Sequence, residues 1–155
     1  MDPVSIVGLV ASSVQLAELA LKIGKGLHEY RERYGQAGRT LKSIVMYCNA
    51  VNSSILMIKD WIENTVARSP TGEQQVESLS TMIGEFLGMM ALLEAEVDKL
   101  LGKETSASDL HFKTKAKFAW NERLMKEHLE EINYLASALH LLLDATKLQA
   151  YLPNH

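Results

Sequence analysis

The chain has 155 residues, 47% of them apolar but only 6% aromatic, and a formal charge of −3. That length suits one domain, able to bury roughly two-thirds of its unfolded surface, and so few aromatics predict a core of Leu, Ile, Val, Met and Ala. The acidic balance excludes a generic nucleic-acid binder. The single cysteine, Cys48, excludes an internal disulfide or a multi-cysteine metal site, which points to a reducing, cytoplasmic setting.

Charge is unevenly placed along the chain. From Lys22 to Lys42 six Lys/Arg stand against two Glu, and from Lys113 to Lys126 five stand against one acid, a local +4 in each case. Between Glu73 and Glu104 seven acids face two lysines, a local −5. These stretches are either ordinary solvated helix faces or basic regions that meet an anionic surface.

The first predicted helix covers 3–34. Pro3 suits a first turn, where its missing N–H has no partner to lose, and Asp2 is a candidate N-cap. Val7, Val10, Val14, Ala17, Leu21 and Gly24 repeat at three and four residues, while Ile6, Leu9, Leu16, Leu19 and Ile23 widen the stripe over most of the circumference. Such a helix is either central in a bundle or meant to meet lipid. Pro3 to Ala17 carries no charge, but Glu18 and Lys22 interrupt the run before the roughly 20 residues a bilayer core requires, so a constitutive span is not expected. A secretory signal is not expected either, because Asp2 stands where a basic n-region belongs.

A second helix is predicted over 39–68, its seam Leu41, Ile44, Cys48, Val51, Ile55, Ile58 and Ile62 alternating spacings of three and four. Thr71 and Gln74 have the form of a capping box that opens a third helix over 72–101, with Leu79, Ile83, Phe86, Met90, Leu93, Val97 and Leu100 as its seam. Gly84 and Gly88 form a G-x-x-x-G ridge on that helix, and close packing of the first helix against it is the expected reason for two costly glycines. After a Ser/Thr-rich loop, Leu110 to Trp120 reads as a short extra helix or the irregular start of a fourth helix over 118–150, with Met125, Leu129, Ile132, Ala136, Leu139 and Leu143 as its seam. The fold class is therefore all-α, an antiparallel four-helix bundle in one domain, with the first helix touching the other three.

No catalytic motif emerges. His128 and His140 lie twelve positions apart on one helix and point about 120° from each other, so they cannot share a ligand. Gly24-Lys25-Gly26 lacks the further glycines and the strand of a phosphate loop. Cys48 on a seam reads as a buried, inert thiol, and Met82, Met89 and Met90 read as core filler. No enzyme activity, metal or cofactor is expected.

The opening Met-Asp-Pro-Val-Ser-Ile-Val-Gly-Leu-Val-Ala-Ser resembles the start of the HeLo-like N-terminal domains of fungal NOD-like receptor (STAND) and heterokaryon-incompatibility proteins. A second point of resemblance is Lys115 to Leu142, a basic segment followed by Phe118, Trp120 and a leucine-rich helix. With the matching helix lengths, the resemblance extends over nearly the whole chain. It implies a cell-death effector of fungal incompatibility or innate immunity, cytoplasmic at rest, that permeabilises the plasma membrane once a receptor or amyloid-motif partner oligomerises it. Helix 1 departs from the family's glycine-zipper character, having only Gly8, Ser12, Ala20 and Gly24 as small residues.

Carried over, the membrane-inserting segment is Pro3, Val4, Ile6, Val7, Gly8, Leu9, Val10, Val14, Leu16, Ala17, Leu19, Leu21 and Ile23, with Glu18 facing a polar lumen. The charge-free part spans about 22 Å against a hydrocarbon core of roughly 30 Å, so several copies would have to insert together. Anionic lipid would be met by Lys113, Lys115 and Lys117, with Lys22, Lys25, Arg31 and Arg33 adding to them. The alternative is a non-lytic oligomerisation or adaptor module, in which the first helix is simply core.

Overall fold

The computed structural model describes residues 3–34, 38–64, 73–102 and 120–151, with side chains from Ile6 in the first stretch, from Val76 in the third and as far as Asp144 in the last. These stretches form four helices: α1 (Pro3–Tyr34), α2 (Arg39–Asn64), α3 (Glu73–Leu100) and α4 (Glu122–Tyr151). The all-α four-helix bundle expected from the heptad rhythm is what the chain forms. Thr71 and the side chain of Gln74, which would form the capping box, the end of the second helix beyond Asn64, and the stretch from Leu110 to Ala119 lie outside what is described.

Every predicted seam position of α2 and α3 is buried. The seam of α4 is shallower: Met125, Ile132 and Leu139 are buried, while Leu129, Ala136 and Leu143 are only half-buried. Helix ends follow local chemistry. Gly102 takes φ 71°, the left-handed conformation a glycine reaches without a Cβ penalty, and its N–H donates to the Lys99 carbonyl to close α3. The start of α4 falls at Glu122, not at 118. Asn121 is the N-cap, its Oδ1 accepting from the Leu124 N–H at 3.1 Å, so Trp120 and Asn121 lie outside the helix.

Side-chain contacts give the helix directions. Asn52 Nδ2 donates to the Ala17 carbonyl and Gly24 faces Cys48, so α1 and α2 are antiparallel. Lys22 pairs with Glu94, and Gly26 faces Val97 and Leu101, so α1 and α3 run parallel. Thr40 bonds to Glu122 and Tyr47 to Asn133, so α2 and α4 also run parallel. Direction therefore alternates along the chain, but the spatial neighbours are α1·α2, α1·α3, α3·α4 and α2·α4. Among the described residues the first helix packs extensively along two others and stands diagonally across from α4. Its wide apolar stripe covers the arcs facing α2 and α3, with Val7 and Leu21 left over on the solvent side.

The glycine expectation is overturned. Gly84 and Gly88 are exposed, and a Cβ at either would meet nothing within 4 Å. The close approach lies on α1 instead. A Cβ at Gly26 would stand 2.7 Å from Val97 Cγ1, and one at Gly24 would stand 3.6 Å from Cys48 Cβ. Gly26 lets α1 settle closely against α3, while at Gly24 a Cβ would make only ordinary contact with α2; the contacts of α1 with both are more extensive than those α4 makes.

Candidate functional site

The segment 3–23 forms the N-terminal two-thirds of α1. Leu9, Leu16, Ala17 and Ile23 are buried; Ile6, Val10, Val14 and Leu19 are half-buried; Val7 is 68% and Leu21 40% exposed. Gly8 and Glu18 face solvent, and the side chains of Pro3 and Val4 lie outside the described residues. Ser13 is completely buried, its hydroxyl donating to the Leu9 carbonyl at 2.8 Å. Apart from Asn52 reaching the Ala17 carbonyl and the Lys22–Glu94 pair, this segment is held by apolar packing.

The C-terminal part of α1 is held differently. Tyr30 is buried and stacks on Trp120, with centroids 5.8 Å apart, and Tyr34 joins at 4.9 Å. Trp120 Nε1 donates to Glu122 Oε2 at 2.7 Å, and Thr40 Oγ1 donates to the other oxygen of the same carboxylate. Those two hydrogen bonds hold the Glu122 carboxyl below the usual range, the Thr40 bond contributing most. Trp120 thus ties the entry of α4 to the end of α1, while Glu122 ties it to the start of α2.

The cations divide into paired and unpaired. Lys22 is bound to Glu94 of α3 at 2.9 Å, a contact that also raises its pKa, so its charge is already answered within the fold. Arg33 pairs with Glu29 at 2.6 Å and reaches the Leu101 carbonyl at the end of α3, where a cation meets the negative end of the helix dipole. Lys25, Arg31, Arg39, Lys42 and Lys126 are exposed, with no acidic group of the described residues in ion-pair range. Lys113, Lys115 and Lys117 lie outside the described residues.

The fold brings described cations of both basic stretches to one end. The last turns of α1, the start of α2 and the start of α4 meet where Trp120, Tyr30 and Thr40 touch, so Arg31, Arg39, Lys42 and Lys126 share that end. Val7 lies at the other end, about 36 Å away along α1. Sequence spacing could not show this separation of the apolar segment from the basic cluster.

Two grooves went unpredicted. Between α3 and α4, Gly84, Gly88 and Leu92 are flanked by Glu85, Glu127, Glu130 and Glu131. Between α2 and α4, an apolar groove has Phe86 of α3 at its floor. Met57, a surplus apolar residue off the α2 seam that lines the second groove, was the signal, and it is exposed. By length and composition, three described helical stretches, Ile6–Tyr34, Arg39–Asn64 and Val76–Leu100, are apolar enough to cross a membrane.

For chemistry the arrangement offers little. Burial pushes the Cys48 thiol up to about 12, far from a reactive thiolate. His128 is buried on α4, whereas His140 is exposed and pairs with Asp144 at 3.3 Å. Among the described residues no three His, Cys, Asp or Glu converge on a metal position. Compared with known protein families, curated proteins and solved structures, the chain matches none.

Proposed function

We propose that this domain is a membrane-permeabilising effector that acts after oligomerisation, in the manner of the HeLo-like domains its opening resembles. The observation that carries the reading is the character of α1 over 6–23: Glu18 and Lys22 are its only charges, apolar residues reach its solvent side, and apolar packing holds it in place. Uncovering Leu9, Leu16 and Ile23 to water costs about 1.5–3 kcal/mol each, roughly 5–9 kcal/mol together. That is comparable to the whole stability of a typical domain, about 5–15 kcal/mol. Release into water is therefore suppressed, and release becomes favourable where lipid replaces the lost packing. In an assembly, Glu18 would line a shared polar lumen, and Gly8, with open space around it, would allow helices from several copies to approach. The unpaired cations at the far end, Arg31, Arg39 and Lys42 among them, suit docking on an anionic leaflet before release.

The test fuses the intact domain to an inducible oligomeriser and follows dye release from anionic liposomes. Ser13→Lys is unsuitable because it buries a charge. Val7→Lys leaves the bundle intact because Val7 is exposed, yet it adds a charge inside the inserting segment, costing about 2.5–3.5 kcal/mol per copy at a helix centre and less toward its ends. Wild type should leak on induction and Val7→Lys should leak much less. Equal leakage, or none from either, overturns the reading. A second reading, a non-lytic oligomerisation or adaptor module, is favoured by the close seating of α1 against α3 at Gly26. In that case induction assembles the protein and liposomes stay intact.

A further inference from the structure

We infer that the groove between α3 and α4 receives a basic amphipathic helix of a partner protein. Gly84 and Gly88, one turn apart on α3, line it together with Leu92, and Tyr134 and Leu135 of α4 stand opposite. Leu92 is 63% and Tyr134 73% exposed, so the apolar part of the lining stands open to solvent. Glu85 lies on the α3 side and Glu127, Glu130 and Glu131 on the α4 side, and no Lys or Arg lines the groove.

Two features of this lining cost stability, and no described part of the fold answers them. Glycine is the poorest helix former after proline, yet neither Gly84 nor Gly88 has the positive φ that calls for it, and a Cβ at either meets nothing within 4 Å. Glu127, Glu130 and Glu131 set like charges three and four residues apart, a spacing that weakens a helix. Arg123 pairs with Glu127 at 3.6 Å, but Glu85, Glu130 and Glu131 have no Lys or Arg of the described residues in ion-pair range.

One kind of occupant answers both costs. A helix laid along α3 brings its backbone close over the two glycines, and Lys or Arg on its two flanks meet the carboxylates on both sides of the groove. Charge removes the other candidates. A second copy presenting the same groove would set carboxylate against carboxylate, and an anionic leaflet or a nucleic acid would be repelled. An uncharged helix would cover the carboxylates without pairing them, which leaves their desolvation uncompensated. From Gly84 to Leu92 the groove runs about 12 Å, roughly two helical turns. The occupant therefore carries small or apolar residues spaced three and four apart, with cations on either side of that stripe.

This inference does not rest on the membrane reading, and its test uses no lipid. The probe is a helical peptide of about 18 residues with Leu and Ala in the stripe and Lys on both flanks, beside a scrambled peptide of the same composition. Calorimetric titration of the full chain should show saturable binding of the helical peptide, weakened by salt, and at least about tenfold weaker binding of the scrambled one. Gly88→Leu fills the open floor, and Glu127→Gln/Glu131→Gln removes the like charges. All three positions are exposed, so both variants should melt no lower than the parent, and each should bind the helical peptide about tenfold or more weakly. A wild type that does not bind overturns the inference. Equal binding of the scrambled peptide overturns it too, by reducing the contact to bulk charge, and so does unchanged binding by either variant, which would place the peptide elsewhere.

Discussion

Glycine shows how one residue type takes opposite roles according to its surroundings. At Gly26 a Cβ would press on Val97, a buried and stiff β-branched side chain, so Gly26→Ala loses more through overpacking than the roughly 1 kcal/mol it gains in helix propensity. At Gly88 nothing opposes the added methyl, and Gly88→Ala should stabilise by up to about 1 kcal/mol. Thermal melts of the two variants should therefore shift in opposite directions, and equal shifts would refute the assigned packing. His128 is a second case. It is buried, with neither ring nitrogen hydrogen-bonded, and an unpaired buried polar group costs about 1–3 kcal/mol. His128→Leu keeps a similar volume and removes that cost, so denaturant midpoints should rise; a fall would mean the imidazole has a stabilising role.

At the scale of elements, α4 is the least firmly seated helix, with a half-buried seam and a start fixed by a small polar network. Glu122 joins Thr40 on α2 to Trp120, and through Trp120 the stack reaches Tyr30 on α1. A carboxyl held low in the folded state contributes stability above its unfolded pKa, about 4.3 for Glu, and loses it as pH falls through the lower folded value. The melting temperature of wild type should therefore drop between neutral pH and about pH 3 by more than that of Glu122→Gln. Identical pH profiles would show that Glu122 does not couple α4 to the bundle. Because Glu122 is exposed, the effect is a modest part of the total acid sensitivity.

For the whole molecule, the consequence is that the cations Arg31, Arg39 and Lys42 gather at one end, where Glu29, Glu32 and Glu122 also sit, and the apolar N-terminal turns of α1 lie at the other. Each unpaired cation near an anionic leaflet adds about 1 kcal/mol of attraction, fading within a Debye length. Arg31→Glu/Lys42→Glu should sharply weaken sedimentation with acidic liposomes, and raised salt should imitate it. Lys22→Glu should weaken it less than either single change, since Lys22 is already paired with Glu94. Undiminished binding by the double variant would make those cations a solvated surface only.

The seams of α2 and α3 were legible because burial on one face imposes a spacing of three and four residues, and every seam residue is indeed buried. The bounds of α1 were legible for a similar local reason, its periodicity running from Pro3 to Tyr34. The cap at Asn121, followed by acidic Glu122, is readable in the sequence, although the expected start of the fourth helix is placed at 118. Other features have no local signature. A G-x-x-x-G ridge reads the same whether another helix covers it or solvent does, so close packing is expected at Gly84 and Gly88 and is found instead at Gly26, which the sequence offers only as a fragment of a phosphate loop. The tertiary structure decided that α1 packs extensively along two neighbours, that Lys22 is answered by Glu94, and that an apolar groove opens between α2 and α4. Periodicity records which face of a helix is buried; which other helix buries it depends on long-range packing, to which a single helix's sequence is blind.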